Sequence, residues 1–288
     1  MEHANLHDQT DNTELFDFQI ASDCLQNCKV FGTANDFNKH LQKNIKTNHH
    51  YFSLFFNNLD GNATNFDSIS VELKKTEHKF SAIGLCETNI DSYHKSLYNI
   101  VGYESVYQSR LPGKSKGSGL GLYISESFVY EELPELCLCT PDIETLFVKL
   151  TNTKETITLG VVYRSPSGSF CNFSSELEKL LGHLPQDNVY IMGDFNINLH
   201  DNTDSHSRNF EDTLLGSGLS PLISVSTHQM PHHSETCIDN IISNNFNDIL
   251  ITGTIDDRVS HHAPLVLVSC TPTACLNSPD EGDGRDPI

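Results

Sequence analysis

Six short strings in this chain set a carboxylate, an amide, a phenol or an imidazole at the end of an apolar run or inside one. They are Asn58-Leu59-Asp60-Gly61, Leu85-Cys86-Glu87-Thr88, Val162-Tyr163-Arg164-Ser165-Pro166, Gly193-Asp194-Phe195-Asn196, Ile238-Asp239-Asn240-Ile241 and Ser260-His261-His262-Ala263-Pro264. The fullest is Val189-Tyr190-Ile191-Met192-Gly193-Asp194-Phe195-Asn196, where four apolar residues read as a buried strand. Gly193 ends that strand where a side chain would crowd whatever docks there. Extended backbone beyond it would point Asp194 and Asn196 to the same side. An acid beside an amide can hold a water, a metal ion or a phosphate oxygen. The competing reading is a polar turn after a core strand, since turns favour these residues. Each of the other strings has its own plain reading, a strand-end cap or a hydrogen-bonded histidine. Strands converging on one rim would instead gather hard oxygen ligands for Mg2+, a base for water and donors for an anionic transition state. That inventory suits metal-assisted phosphoryl transfer.

The elements that must carry these residues follow from periodicity. Residues 52–56 read as a core strand broken by Asn57-Asn58-Leu59-Asp60-Gly61. Phe66, Ile69 and Leu73 recur at helical spacing through Lys75, with Thr64 or Asn65 as cap. A second buried strand covers 80–85, with Glu87 two residues past its end. Lys114-Ser115-Lys116-Gly117-Ser118-Gly119 is a basic, glycine-rich loop leading into a strand at 120–125. It reads as a hairpin connection, or as a phosphate cradle with Lys114 and Lys116 supplying the charge. Strands at 144–149 and 156–162 read as a pair, the second ending in Tyr163 and Arg164. A capped amphipathic helix spans 172–181 and a shorter one 208–215. Strands follow at 236–242, with Asp239 the one acid in an apolar run, and at 265–268.

The chain has 288 residues, enough for one large domain or two modest ones. Apolar residues make up 37% with no run of eighteen, so no membrane-spanning helix is expected. Residues 1–11 are polar and acidic, unlike a signal peptide. Nine scattered cysteines complete no zinc-finger spacing, and the thiols read as reduced and intracellular. Residues 1–50 read as a weakly ordered or loosely docked extension with a helix near 36–46, residues 51–270 as the folded domain, and 271–288 as a disordered tail. With 18 basic and 38 acidic residues the formal charge is −20, which repels nucleic acid at long range. An enzyme acting on nucleic acid with that balance must lean on divalent metal and a few local cations.

The six strings, in this order, resemble the endonuclease/exonuclease/phosphatase superfamily, and most closely the endonuclease domain of non-LTR (LINE-type) retrotransposon polyproteins. The resemblance covers residues 52–268. Lys116-Gly117-Ser118-Gly119-Leu120-Gly121-Leu122-Tyr123-Ile124 and Thr236-Cys237-Ile238-Asp239-Asn240-Ile241-Ile242 are similar to that branch as well. No reverse-transcriptase motif follows, so the nuclease part alone is expected, as a fragment or a stand-alone product. The resemblance implies an α+β fold, a four-layer α/β/β/α sandwich of two mixed sheets with the active site at one end. It implies Mg2+ (or Mn2+) at Glu87, with Asn58 and Asp60 completing or supporting that site. Asp194 would orient or deprotonate the attacking water, Asn196 would help place it, and His262 would face the scissile phosphate with Asp239 fixing its tautomer. Tyr163 would sit near the phosphate, and Arg164 would add a charge-assisted contact or serve a structural role. The implied partner is duplex DNA and the implied compartment nuclear; no partner protein is implied.

The family usually has Ser-Asp-His where this chain has Ser260-His261-His262. That departure opens a catalytically impaired copy as an alternative to an active DNA endonuclease. The other alternative is the same fold hydrolysing RNA, a nucleotide or a phosphoinositide.

Overall fold

The computed structural model describes residues 26–46, 49–61, 63–90, 98–113, 117–153, 155–185, 187–246, 248–258 and 260–271. Lys114, Lys116 and the tail 272–288 lie outside them. The elements run β1 (Lys29–Phe31), α1 (Ala34–Asn44), β2 (His50–Asn58), α2 (Ala63–Lys75), β3 (Ala82–Cys86), β4 (Tyr103–Gln108), β5 (Leu120–Ser125) and β6 (Val129–Glu132). They continue with β7 (Ile143–Thr151), β8 (Thr156–Arg164), α3 (Phe170–Leu181), β9 (Asn188–Asp194), α4 (Ser205–Gly216), β10 (Ser220–Pro221), β11 (Asp239–Ser243), β12 (Ile249–Ile255) and β13 (Leu265–Thr271).

Among the described residues the strands form a seven-stranded sheet, order β1-β12-β13-β2-β3-β5-β4, and a six-stranded sheet, order β10-β11-β9-β8-β7-β6. Both are mixed: β2–β3 and β8–β9 are parallel, while β13–β2 and β11–β9 are antiparallel. Period-two alternation assigns the faces. Phe52, Leu54 and Phe56 point between the sheets, where they meet Leu122, Val161, Tyr190 and Met192. Phe55 points the other way, to Phe66 and Ile69 of α2 and Phe37 of α1. On the second sheet Val162 and Ile191 turn outward to Phe173 and Leu177 of α3 and Phe210 and Leu214 of α4. The result is the four-layer α/β/β/α sandwich. A one-residue slip of β2 would exchange its two faces, and burying each such Leu or Phe is worth about 1.5–3 kcal/mol, so the register is fixed.

The structure departs from the sequence reading in places. β2 does not stop at 56: Asn57 and Asn58 stay in the ladder opposite Leu85 and Cys86, and the chain turns at Asp60-Gly61 instead. β11 begins only at Asp239, because Thr236 is drawn into a bridge with His228. Within the extension expected at 1–50, residues 26–46 are docked. β1 adds a parallel strand beside β12, and α1, capped by the Thr33 side chain, buries Ala34, Phe37 and Leu41 at helical spacing. Among the described residues no helix is long and apolar enough to cross a membrane.

Gly193 has a different reason from the one its position suggested. It lies inside β9, opposite Val162 of β8, and a Cβ there would come 2.3 Å from the Val162 carbonyl oxygen and 3.1 Å from the Phe195 ring. What a side chain would crowd is the neighbouring strand, not a ligand. Gly193→Ala should therefore destabilise the fold by about 2 kcal/mol or more, since backbone, not a movable side chain, must yield. Urea unfolding with a midpoint unchanged from the parent would refute this account.

Candidate active site

The parallel pairs β2–β3 and β8–β9 bring Asn58, Glu87, Tyr163 and Asp194 to one rim, and the antiparallel β11 and β13 bring Asp239 and His262 to it from the opposite chain direction. Asp239 and Asp194 face each other in the ladder, as do Asp194 and Tyr163. Asn58 crosses between the sheets: its Nδ2 donates to Glu87 Oε1 at 3.1 Å and to Asp194 Oδ2 at 2.8 Å. Its Oδ1 accepts the Asp60 N–H at 2.8 Å. Two carboxylates on one side and an N–H donor on the other leave only this orientation of the amide.

Both Asx-rich strings fold by the same device. The side-chain oxygen of Asn58 or Asp194 accepts the N–H two residues on, and that residue takes a left-handed φ, 53° at Asp60 and 48° at Asn196. Asp and Asn tolerate that region, so the turns cost little. Extended backbone past Asp194 is accordingly not found, and Asn196 swings its amide onto the Arg164 carbonyl at 2.8 Å. Arg164 answers with Nη1 on the Asn196 carbonyl at 3.1 Å and stacks over Phe170 and Phe173. At 8% exposure Arg164 braces the Asn196 turn, and this single bond uses one of the five guanidinium N–H donors.

His262 is buried and sets Nδ1 against both oxygens of Asp239, at 3.0 and 2.9 Å. Asp239 is anchored in turn by its N–H on Thr227 Oγ1 at 3.1 Å, and the His228 ring lies 4.6 Å from that of His262. Neither Thr227 nor His228 is signalled by the sequence, because both sit in irregular chain between α4 and β11. Ser260 closes the rim, its hydroxyl donating to the Asn58 carbonyl at 2.8 Å. Glu87 takes φ 50° and lies with the Tyr163 phenol around Gly117, whose Cβ would fall 3.5 Å from Oε2 and 3.4 Å from Oη. Asp60 joins through its backbone, while its carboxylate pairs with His261 Nδ1 at 2.9 Å, both side chains half exposed.

Electrostatics mark the rim as short of positive charge. Burial, then the Asp239 charge, pushes Asp194 up to about 8, although His262 opposes this. Burial would lower His262, but the Asp239 charge and hydrogen bond, followed by Asp194 and Glu87, outweigh it and raise the ring to about 9. Burial and then Glu87 drive the Tyr163 phenol far up, so it remains a donor at neutral pH. Asp194, Asp239 and His262 place ligand atoms all within 4.8 Å of one another, a grouping that could hold a metal ion. The His262 ring, raised to about 9, carries its proton at neutral pH, so the fit to a hard divalent cation rests on the carboxylates, which are crowded, buried and under-compensated. Asn58 supports that set through its Nδ2 donors, while its Oδ1 accepts the Asp60 N–H and keeps a second lone pair.

No protein-family model matches the chain, and no curated protein matches it. Its architecture is the endonuclease/exonuclease/phosphatase fold, found in solved proteins described by that family name. One similar structure is the endonuclease domain of TRAS1, a telomere-specific non-LTR retrotransposon, at 17% identity over 77% of this chain and 99% of that one, with TM-score 0.61. Another is the AP endonuclease LMAP from Leishmania major, at 11% identity over 88% and 98%, with TM-score 0.62. A third is D. rerio TDP2 complexed with single strand DNA product, at 17% identity over 76% and 98%, with TM-score 0.57. At these identities the likeness is one of fold.

Both shifts at the rim have the same sign, since the folded chain holds protons that the unfolded chain releases earlier. The stability that His262 contributes is complete below about 6.5 and is lost as pH climbs through about 9. Asp194, raised from 3.8, penalises the fold increasingly between there and about 8. In excess chelator the melting temperature should fall as pH rises from 6.5 to 9, and Asp194→Asn should flatten the slope. A level or rising melting temperature in that window would contradict the assignment.

Proposed function

We propose that this chain is a divalent-metal-dependent phosphodiester hydrolase, and specifically a DNA-nicking endonuclease of the retrotransposon type. The observation that carries the reading is the Asn58 amide joined to Glu87 and Asp194 at the rim that also holds the Asp239–His262 pair. The TRAS1 domain and LMAP are described as endonucleases and the TDP2 structure as bound to DNA product, which supports DNA over other phosphoesters. Glu87, joined through the Asn58 amide to the crowded Asp194, would hold the cation, with Asp60 supporting that site where its carboxylate is released by His261. When bound, Mg2+ or Mn2+ neutralises charge on the scissile phosphate and its leaving oxygen.

The chain's own groups do the rest. Asp194 in its carboxylate form accepts a proton from the attacking water and orients it, with the Asn196 turn fixing its own Oδ1. Asp239 commits the His262 Nδ1 proton, so Nε2 serves the phosphate, and the raised ring offers an imidazolium to its developing charge. The Tyr163 phenol donates a further hydrogen bond. A net charge of −20 keeps long-range attraction to DNA weak, so affinity should depend on the cation and on contacts close to the cut.

Supercoiled-plasmid nicking with Mg2+, run beside hydrolysis of RNA, a nucleotide and a phosphoinositide, tests the reading. Nicking should vanish in chelator and in Glu87→Ala, and His262→Ala should slow it roughly a hundredfold or more. Full nicking without metal, or a small phosphoester turned over in place of DNA, would remove the proposal.

A weakened enzyme is favoured by one contact, the His261 imidazole on the Asp60 carboxylate. A ring in that place takes the oxygen a cation would use and lends none of the negative charge of an aspartate. An imidazole tolerates Mn2+ better than Mg2+ as a neighbour. His261→Asp should raise the Mg2+-supported nicking rate across a Mg2+ titration and narrow the advantage of Mn2+. Equal rates for both proteins would show that position 261 plays no part.

A further inference from the structure

Glu144 lies in β7 opposite Tyr163 of β8 and is 1% exposed. A buried carboxylate needs donors, and two come from the loop before β5. Its Oε1 accepts the Ser118 hydroxyl at 2.6 Å, and its Oε2 accepts the Gly119 N–H at 2.8 Å. Ser118 is fully buried, and its own oxygen accepts the Leu111 N–H at 2.7 Å.

The same turn supplies acceptors to the segment just past Glu87. Thr88 N–H donates to the Gly119 carbonyl at 3.1 Å and Asn89 N–H to the Ser118 carbonyl at 3.0 Å. There is no slack between the two segments, for a Cβ on Gly119 would meet Thr88 Oγ1 at 2.9 Å. Gly117, at φ 66°, closes against the Glu87 carboxylate and the Tyr163 phenol. Glu87 and Asn89 hold left-handed φ values of 50° and 52°. Such backbone persists where its surroundings over-determine it.

We propose that Glu144 is a positioning residue for Glu87: its carboxylate sets the Ser118–Gly119 turn, and that turn fixes the backbone that aims the Glu87 carboxylate at a divalent cation. The inference rests on Glu87 being the metal ligand of the proposed hydrolase. The side chain must be a carboxylate because it meets two donors at once. Glutamine offers one acceptor oxygen: kept on the Gly119 N–H, it meets Ser118 with an N–H and must turn the Ser118 hydroxyl proton away, so the charge-assisted Ser118 bond is lost.

The test uses the full chain with Mn2+ as probe. Binding of Mn2+ to the parent, Glu144→Gln and Ser118→Ala is followed by electron paramagnetic resonance without DNA, and plasmid nicking is measured against Mn2+ concentration. Expected is an affinity roughly tenfold weaker in Glu144→Gln, a matching rise in half-saturating Mn2+, and a rate at saturation within about threefold of the parent. Ser118→Ala removes one bond and leaves the carboxylate buried, so it carries the test where Glu144→Gln fails to fold; its affinity should fall in the same direction. A role in folding alone would lower the unfolding midpoint and leave the Mn2+ affinity of folded protein within about twofold, which overturns the proposal. A parent that binds no Mn2+ and nicks nothing overturns the reading of Glu87 and this inference together. An active parent with unchanged variants overturns this inference alone.

Discussion

The rest of the site depends on the Asn58 amide. It is fully buried and uses both N–H donors on carboxylates of different sheets, Glu87 in the first and Asp194 in the second. Its remaining groups are spent nearby, Oδ1 on the Asp60 N–H and the backbone carbonyl on the Ser260 hydroxyl. Two packed sheets would ordinarily face each other through apolar side chains about 10 Å apart. Here the apolar filling ends at Phe56 and Met192, and an amide takes over where the strands reach the rim. An acid in its place would add a third negative charge, and an apolar residue would leave two buried carboxylates without donors, at a cost of several kcal/mol.

Much of this was legible because the signals are local. The strings Asn58-Leu59-Asp60-Gly61 and Gly193-Asp194-Phe195-Asn196 carry their own turn instructions, and the helix at 172–181 appears as α3 with Ser169 as its cap. What escaped depends on distant partners. β12 is fixed by its ladder with β13 on one side and β1 on the other, and nothing within 249–255 announces that. The docking of residues 26–46 follows from a sheet edge that only the folded chain provides. Arg164 reads from the sequence as either a charge-assisted contact or a structural residue; its neighbours Phe170 and Phe173 come from α3, and only the folded chain shows the brace they form with it. Thr227 escaped because a hydroxyl anywhere can serve as an anchor, while Ser260 was visible only as part of its string and not as the donor to Asn58.

Gly193 shows how a correct observation can have the wrong cause. A glycine before an acid at a strand end suits close approach of a ligand, yet the crowded atom is the Val162 carbonyl of the parallel neighbour. Gly160 behaves alike, since its Cβ would strike the Phe147 ring at 2.3 Å. In both cases the glycine serves the packing of the second sheet, and only through it the site.

The charges at the rim fix the order in which ligands can act. Glu87, Asp194 and Asp239 stand against one imidazolium, and burial has already driven Asp194 to hold its proton near neutrality. A phosphodiester entering that rim alone adds negative charge and raises Asp194 further, which disarms the base it requires. A divalent cation entering first does the reverse, favouring the carboxylate and releasing a proton. Under the proposed function, cation and phosphate must therefore bind with positive coupling, each improving the affinity of the other by the same factor. The −20 charge of the whole chain acts in the same direction, because it discourages anionic ligands until a cation has been gathered. Position 261 bears on this coupling directly: an imidazole on Asp60 engages one of the few remaining carboxylates that could help to attract the cation.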